Sequence, residues 1–224
     1  MHRQTEDRSS ILGEEFLHEF GHQWGFYLNK PELDLTYDSF GGTQTAGYHT
    51  GTPTTLIGLM GNNLFLEEQP NGDFQATYAF DKGQYHGRKF ADFELYLMGL
   101  ISSSSVQSQR FILDRSTAIQ PFEIIARNKT SVVTIDDVIK VYGPRIPSVS
   151  DSQKSFRALF VSISETRMTA AEIAIINRTA SYYSSTSVSG GTDTSGLVDV
   201  WPPRSFNSAT SGLATLNTVV PAKK

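Results

Sequence analysis

Cysteine is absent from all 224 residues. Disulfides, iron–sulfur clusters and thiolate zinc sites are therefore excluded, and any metal must be held by histidine, carboxylate or carbonyl groups. Histidine is scarce too, with five in the chain. No apolar run approaches the roughly 20 residues that cross a bilayer as a helix. A net charge of −4 offers no electrostatic basis for binding nucleic acid or anionic membrane, so neither is expected as a partner. The opening stretch MHRQTEDRSSILGEEF is polar and mixed in charge. It lacks the apolar core of a signal peptide and the basic amphipathic pattern of a transit peptide. What is present is an ordinary globular composition, long enough for one large domain or two small ones.

The strongest pattern is FLHEFGHQWGFYL, residues 16–28. Phe16, Phe20 and Trp24 fall at i, i+4 and i+8, with Leu12, Leu17 and Leu28 alongside, which predicts a buried-face helix over about 11–28. Ser9 or Ser10 is placed to cap it, and Glu14 and Glu15 suit its amino-terminal dipole. Residues 29–56 are rich in Gly, Thr, Pro and Asp and read as an irregular excursion. Asn71-Gly72 between two strand-forming runs predicts a hairpin. Phe90, Phe93, Leu97 and Leu100 predict a short helix over 90–100 that stops near a glycine.

Further on, PFEIIAR and SVVT are strand candidates, and Thr134 caps IDDVIKVY, with Gly143-Pro144 where that helix should end. FRALFVSI alternates like a strand. TAAEIAIINRTASYY opens with a capping box of Thr169 and Glu172 and places Ile173, Ile176 and Tyr183 on one side. Beyond Tyr183 lies a Ser/Thr/Gly tract. The expectation is an α+β region over 1–182, with its chemical motifs in 11–100 and a packing subdomain in 101–182. A linker and tail follow over 183–224.

The chemistry lies in the helix. His18 and His22 are one turn apart, so both imidazoles can reach one ion, and Glu19 projects from the flank of the same face. That is the physical content of H-E-x-x-H: two nitrogen ligands, with a carboxylate held near water without ligating the metal. Glu19 would act as general base, with Zn2+ lowering the water's pKa and polarising a scissile carbonyl. Chance alone produces this five-residue pattern in proteins that bind nothing. Against chance stand its phase, off the Phe16/Phe20/Trp24 face, and Gly21, which costs roughly 1 kcal/mol in a helix unless close packing wants it.

Gly25 falls where the metzincin pattern H-E-x-x-H-x-x-G-x-x-H has its glycine, but the last position is Leu28, which cannot coordinate zinc. A third ligand must come from elsewhere. His49 is the first choice: it lies in the glycine-rich excursion, eleven residues before Met60, which LMGNN would place in a tight turn beneath the metal. The competing reading of His49 is a solvated loop histidine. Glu94 is the runner-up, either as a ligand or as an acceptor that orients His18 or His22; otherwise it is an exposed helix carboxylate. His86 sits beside two basic residues, which disfavours metal binding and leaves substrate contact; His2 lies in a terminus expected to fray. Tyr48 and Tyr96 are candidates for donating to an oxyanion, with packing as the alternative. Glu67, Glu68, Asn71 and Asp73 lack the spacing of a calcium loop and read as a plain turn.

The succession EEFLHEFGHQWG, GYHT…LMGNN, NGDF, FELYLMGL and TIDDVIKVYGPRIPS…SQKSFRALFV resembles an uncharacterised family of secreted bacterial zinc peptidase-like proteins, over roughly residues 13–165. The resemblance implies a zincin-like fold with His18, His22 and, by position, His49 as ligands, Glu19 as base and Met60 in the turn below. It also implies an extracellular zinc endopeptidase acting on protein or peptide. Zincins place a twisted sheet before the motif helix, yet only seventeen residues precede His18. The amino-terminal sheet is therefore expected to be missing or reduced, and the chain to belong to a longer, exported precursor that carries the signal peptide. A second expectation, from another class, is a catalytically incomplete zincin-like module that binds protein or glycan.

Overall fold

A computed structural model describes residues 15–24, 64–78, 89–112, 122–186 and 205–219. Helix α1, Glu15–Gly21, runs into a 3-10 turn at His22–Trp24. Its apolar period does what amphipathic periodicity requires: Leu17 is fully buried, and Phe16, Phe20 and Trp24 pack against the same core cluster. Phe20 and Trp24 meet edge-to-face at 5.4 Å, within the range aromatic pairs favour, and Phe16 lies 4.4 Å from the Tyr183 ring. The expected caps Ser9 and Ser10 lie outside the described residues, as does the helix end at Leu28.

Strands β1, Leu64–Glu68, and β2, Phe74–Tyr78, form the expected antiparallel hairpin, extended by β4, Ile124–Ile125. Gly72 takes φ +85° at the turn, and Asn71 Oδ1 accepts from Asp73 N at 3.0 Å, which closes the loop. Asp73 is further occupied: Oδ2 accepts from Asn71 Nδ2 and Oδ1 from Arg127 N. Strand β3, Gln109–Ile112, pairs antiparallel with β5, Thr130–Val133. Among the described residues the sheets have two or three strands each.

Helix α2, Asp92–Leu97, is the wall between two cores. Leu95 and Met98 face the cluster that holds Leu17, whereas Phe93 and Tyr96 face a second one with Val133, Ile135 and Val138. The helix ends where the sequence has its glycine. Gly99 N donates to Tyr96 O and Leu100 N to Leu95 O, each at 2.8 Å, in the paired arrangement of a Schellman motif, with Gly99 at φ +75°. A Cβ at Gly99 would run into Ser152 Oγ and lie 2.8 Å from Ser152 Cβ. Gly99→Ala is therefore expected to cost about 2 kcal/mol or more, from the left-handed backbone and the displaced serine together. Urea unfolding checks this, and adding Ser152→Gly should recover only the steric part.

Helix α3, Ile135–Tyr142, and helix α4, Ala170–Ser184, carry the capping boxes anticipated for Thr134 and Thr169. Hydrogen bonds from the Thr134 side chain and amide hold the Asp137 carboxyl below its ordinary range. The Thr169 amide and hydroxyl do the same for Glu172. A depressed folded-state pKa contributes stability above the unfolded value, and that contribution is lost as pH falls through the folded value. Thr134→Ala is expected to cost about 1 kcal/mol near neutrality. Its deficit relative to wild type should narrow as pH falls below about 4, which thermal melts across that range would register. On α4, Tyr183 and Thr179 are the buried positions, and Ile173, expected beside Tyr183, is exposed.

Two expectations are corrected. Of FRALFVSI, only the start belongs to a strand: β6, Ser155–Arg157, pairs parallel with β7, Thr215–Asn217. Past Ala158, whose amide still donates to Asn217 O, the alternation continues in burial alone, with Phe160 partly buried and Leu159, Val161 and Ile163 exposed. The second correction concerns the carboxy-terminal tail. Residues 205–219 form α5, Phe206–Ala209, and β7. Phe206, Ala209, Ala214 and Leu216 are buried in the same cluster as Leu17. Apolar side chains spaced irregularly in a polar segment leave little periodic trace, yet they complete the core. Described residues from both halves of 1–182 share that cluster, so the motif region and the packing region are not separate there.

Candidate metal centre

Helix α1 divides cleanly around its axis. Leu17 and Gly21 are buried, Glu19 and Gln23 are exposed, and His22 is half-buried with its Nδ1 enclosed. Burial of Gly21 supplies the close packing that its poor helix propensity demanded. His18 lies on the same helix one turn before His22. His22 opens the 3-10 turn, so the pair spans the junction of the two helical forms rather than a continuous α-helix.

Glu94 sits in α2 and is fully buried, which removes the exposed-carboxylate reading. Its Oε2 accepts from Ala91 N at 2.7 Å, in the first turn of the helix. A carboxylate taken wholly out of water is costly unless polar groups meet it. Because Leu95 and Met98 enter the cluster that contains Leu17, α1 and α2 contribute to one core, and the buried carboxylate belongs to an element that shares that core with the motif helix.

Tyr96 has a different setting. Its ring lies in the second cluster, and its hydroxyl accepts from Arg145 N at 3.0 Å. The Arg145 guanidinium in turn donates to Leu97 O, to Met98 O at 3.3 Å and to Pro147 O at 3.0 Å, closing the carboxy-terminal end of α2. Arg145 was not anticipated from the sequence. Its carbonyl partners in α2 are nearly fifty positions away, beyond the range of any local pattern.

His49, Met60, Tyr48 and His86 lie outside the described residues, as do Gly25 and Leu28. Among the described residues, no three of His, Asp and Glu form a group able to hold a metal. The donors of α1 and the turn that follows it nonetheless fit zinc in kind, being two imidazoles with a carboxylate between them and no thiolate. No helix among the described residues is long and apolar enough to cross a membrane. Comparison with protein-family models, curated proteins and solved structures finds no match to this chain.

Proposed function

We propose that this α+β protein is a zincin-type, zinc-dependent endopeptidase. The observation that supports this reading best is the division of α1, which commits Phe16, Leu17, Phe20 and Trp24 to the core and leaves Glu19 facing solvent. His18 and His22 would hold the ion with His49 as third ligand. Glu94 would orient a histidine from behind or replace His49, and Met60 would line the floor. When bound, zinc supplies a Lewis acid that polarises the scissile carbonyl and makes water more acidic. Glu19 takes the proton from the attacking water on its carboxylate and returns it to the leaving amine. Tyr48 would donate to the oxyanion, since Tyr96 is held in the second cluster with Arg145 on its hydroxyl, and His86 would contact substrate. The substrate is protein or peptide outside the cell.

Metal analysis combined with a peptide library tests the proposal. Equimolar zinc together with hydrolysis that chelation abolishes is the expected result. Equimolar zinc without cleavage of any peptide favours the second reading, a zincin-like module that binds protein or glycan. Absence of zinc from protein refolded with excess metal removes both.

A further inference from the structure

Two arginines, one from a strand and one from a turn, converge on one phenylalanine. Phe74, on β2, is 2% exposed, and its ring is approached by the Arg110 guanidinium at 4.5 Å and the Arg127 guanidinium at 5.1 Å. Arg110 comes from β3 and Arg127 from the 3-10 turn between β4 and β5. Arg127 is fastened through Nε to Gly72 O at 2.8 Å and through Nη2 to Glu68. Arg110 is fastened through Nη1 to Thr130 Oγ1 at 2.9 Å.

Among the described residues, Nε and Nη2 of Arg110 and Nη1 of Arg127 have no acceptor. The Glu68 carboxylate is bound on the Arg127 side, and Asp73 Oδ1 accepts from the Arg127 amide rather than from a guanidinium. Partial burial, and then the neighbouring Arg127, push the Arg110 pKa down, while Glu68 opposes them only in part. A partly desolvated cation beside another cation gains more from an anion than a fully hydrated one does. Unused N–H groups on a planar fork are the chemistry that recognises an oxyanion with two or more oxygens. Pinning the two sheets through Phe74 would by itself require only one of these arginines.

We propose that Arg110 and Arg127, converging on Phe74 where the two antiparallel sheets meet, form a binding site for a small oxyanion, a phosphate or a carboxylate. The site does not depend on the peptidase reading. The test is a titration of 15N-labelled protein, following the arginine Nε–Hε signals at constant ionic strength, with sodium phosphate in one series and sodium acetate in another. The expected result is a saturable shift of the Arg110 and Arg127 signals that sodium chloride does not reproduce. Tighter binding in the phosphate series names phosphate as the ligand class, and tighter binding of acetate names a carboxylate. Arg110→Gln should weaken the response of Arg127 by about tenfold or more. Arg110→Lys keeps the charge but loses the fork, so it should also weaken binding while leaving the amide spectrum dispersed; it serves if the glutamine variant does not fold. Shifts that rise linearly in both series, or an Arg127 response unchanged in a folded Arg110 variant, would overturn the site and leave the arginines as a clamp between sheets.

Discussion

Replacing Glu19 with glutamine is expected to lower peptide hydrolysis by about 10²–10⁴-fold, the usual worth of a general base. Zinc content should stay equimolar, because the proposed site has this residue beside the metal rather than on it. Its exposure makes the test clean: Glu19 lies on the solvent side of α1, so an isosteric amide leaves the Phe16/Phe20/Trp24 packing intact. His22→Ala, by contrast, should lose both zinc and hydrolysis. Atomic absorption and a fluorogenic peptide assay on the same preparations separate the two outcomes. If Glu19→Gln retained wild-type hydrolysis, another base would be acting and the proposed mechanism would be wrong. If His22→Ala retained equimolar zinc, the proposed metal centre would be in the wrong place.

Phe206→Ala is expected to cost about 3–5 kcal/mol in urea unfolding, the range for a large aromatic removed from a core. Phe206 is completely buried. Its ring sits 5.3 Å from Phe20, 5.6 Å from Phe156 and 6.3 Å from Phe90, all at steep angles, and 6.5 Å from Trp24 in a stacked pair. Loss of that ring withdraws support from Phe20 on α1 and from Trp24 in the turn that follows it. A fall in zinc affinity should therefore accompany the loss of stability if the histidines of α1 bind metal. Val219, which is 75% exposed at the end of the same segment, provides the control. Val219→Ala should change stability by less than about 0.5 kcal/mol. A small effect of Phe206→Ala would mean that residues 205–219 do not contribute to the core.

The elements that could be read from the sequence share one property, which is that a few neighbouring residues decide them. The hairpin at Asn71-Gly72, the caps at Thr134 and Thr169 and the stop at Gly99 are of this kind. So is the buried face of α1. Each depends on a turn conformation, a hydrogen bond or a period that spans at most a few turns of chain. The strand expected over FRALFVSI shows where this stops. Phe156 and Phe160 do face inward at alternate positions, but a strand also needs a partner, and β7 reaches only Ser155–Arg157.

Of the proposed site, the sequence by itself determined the motif, its helix and the face on which Glu19 lies. Only the tertiary structure decided that Glu94 is buried and that Tyr96 belongs to the second cluster with Arg145 on its hydroxyl. It also decided that residues 205–219 are core rather than tail, and that Arg110 and Arg127 meet over one ring. The physical reason is the same in each case. Burial and convergent charge arise from contacts between residues far apart in the chain, and side-chain identity alone does not encode which distant segment will supply the other half of a contact.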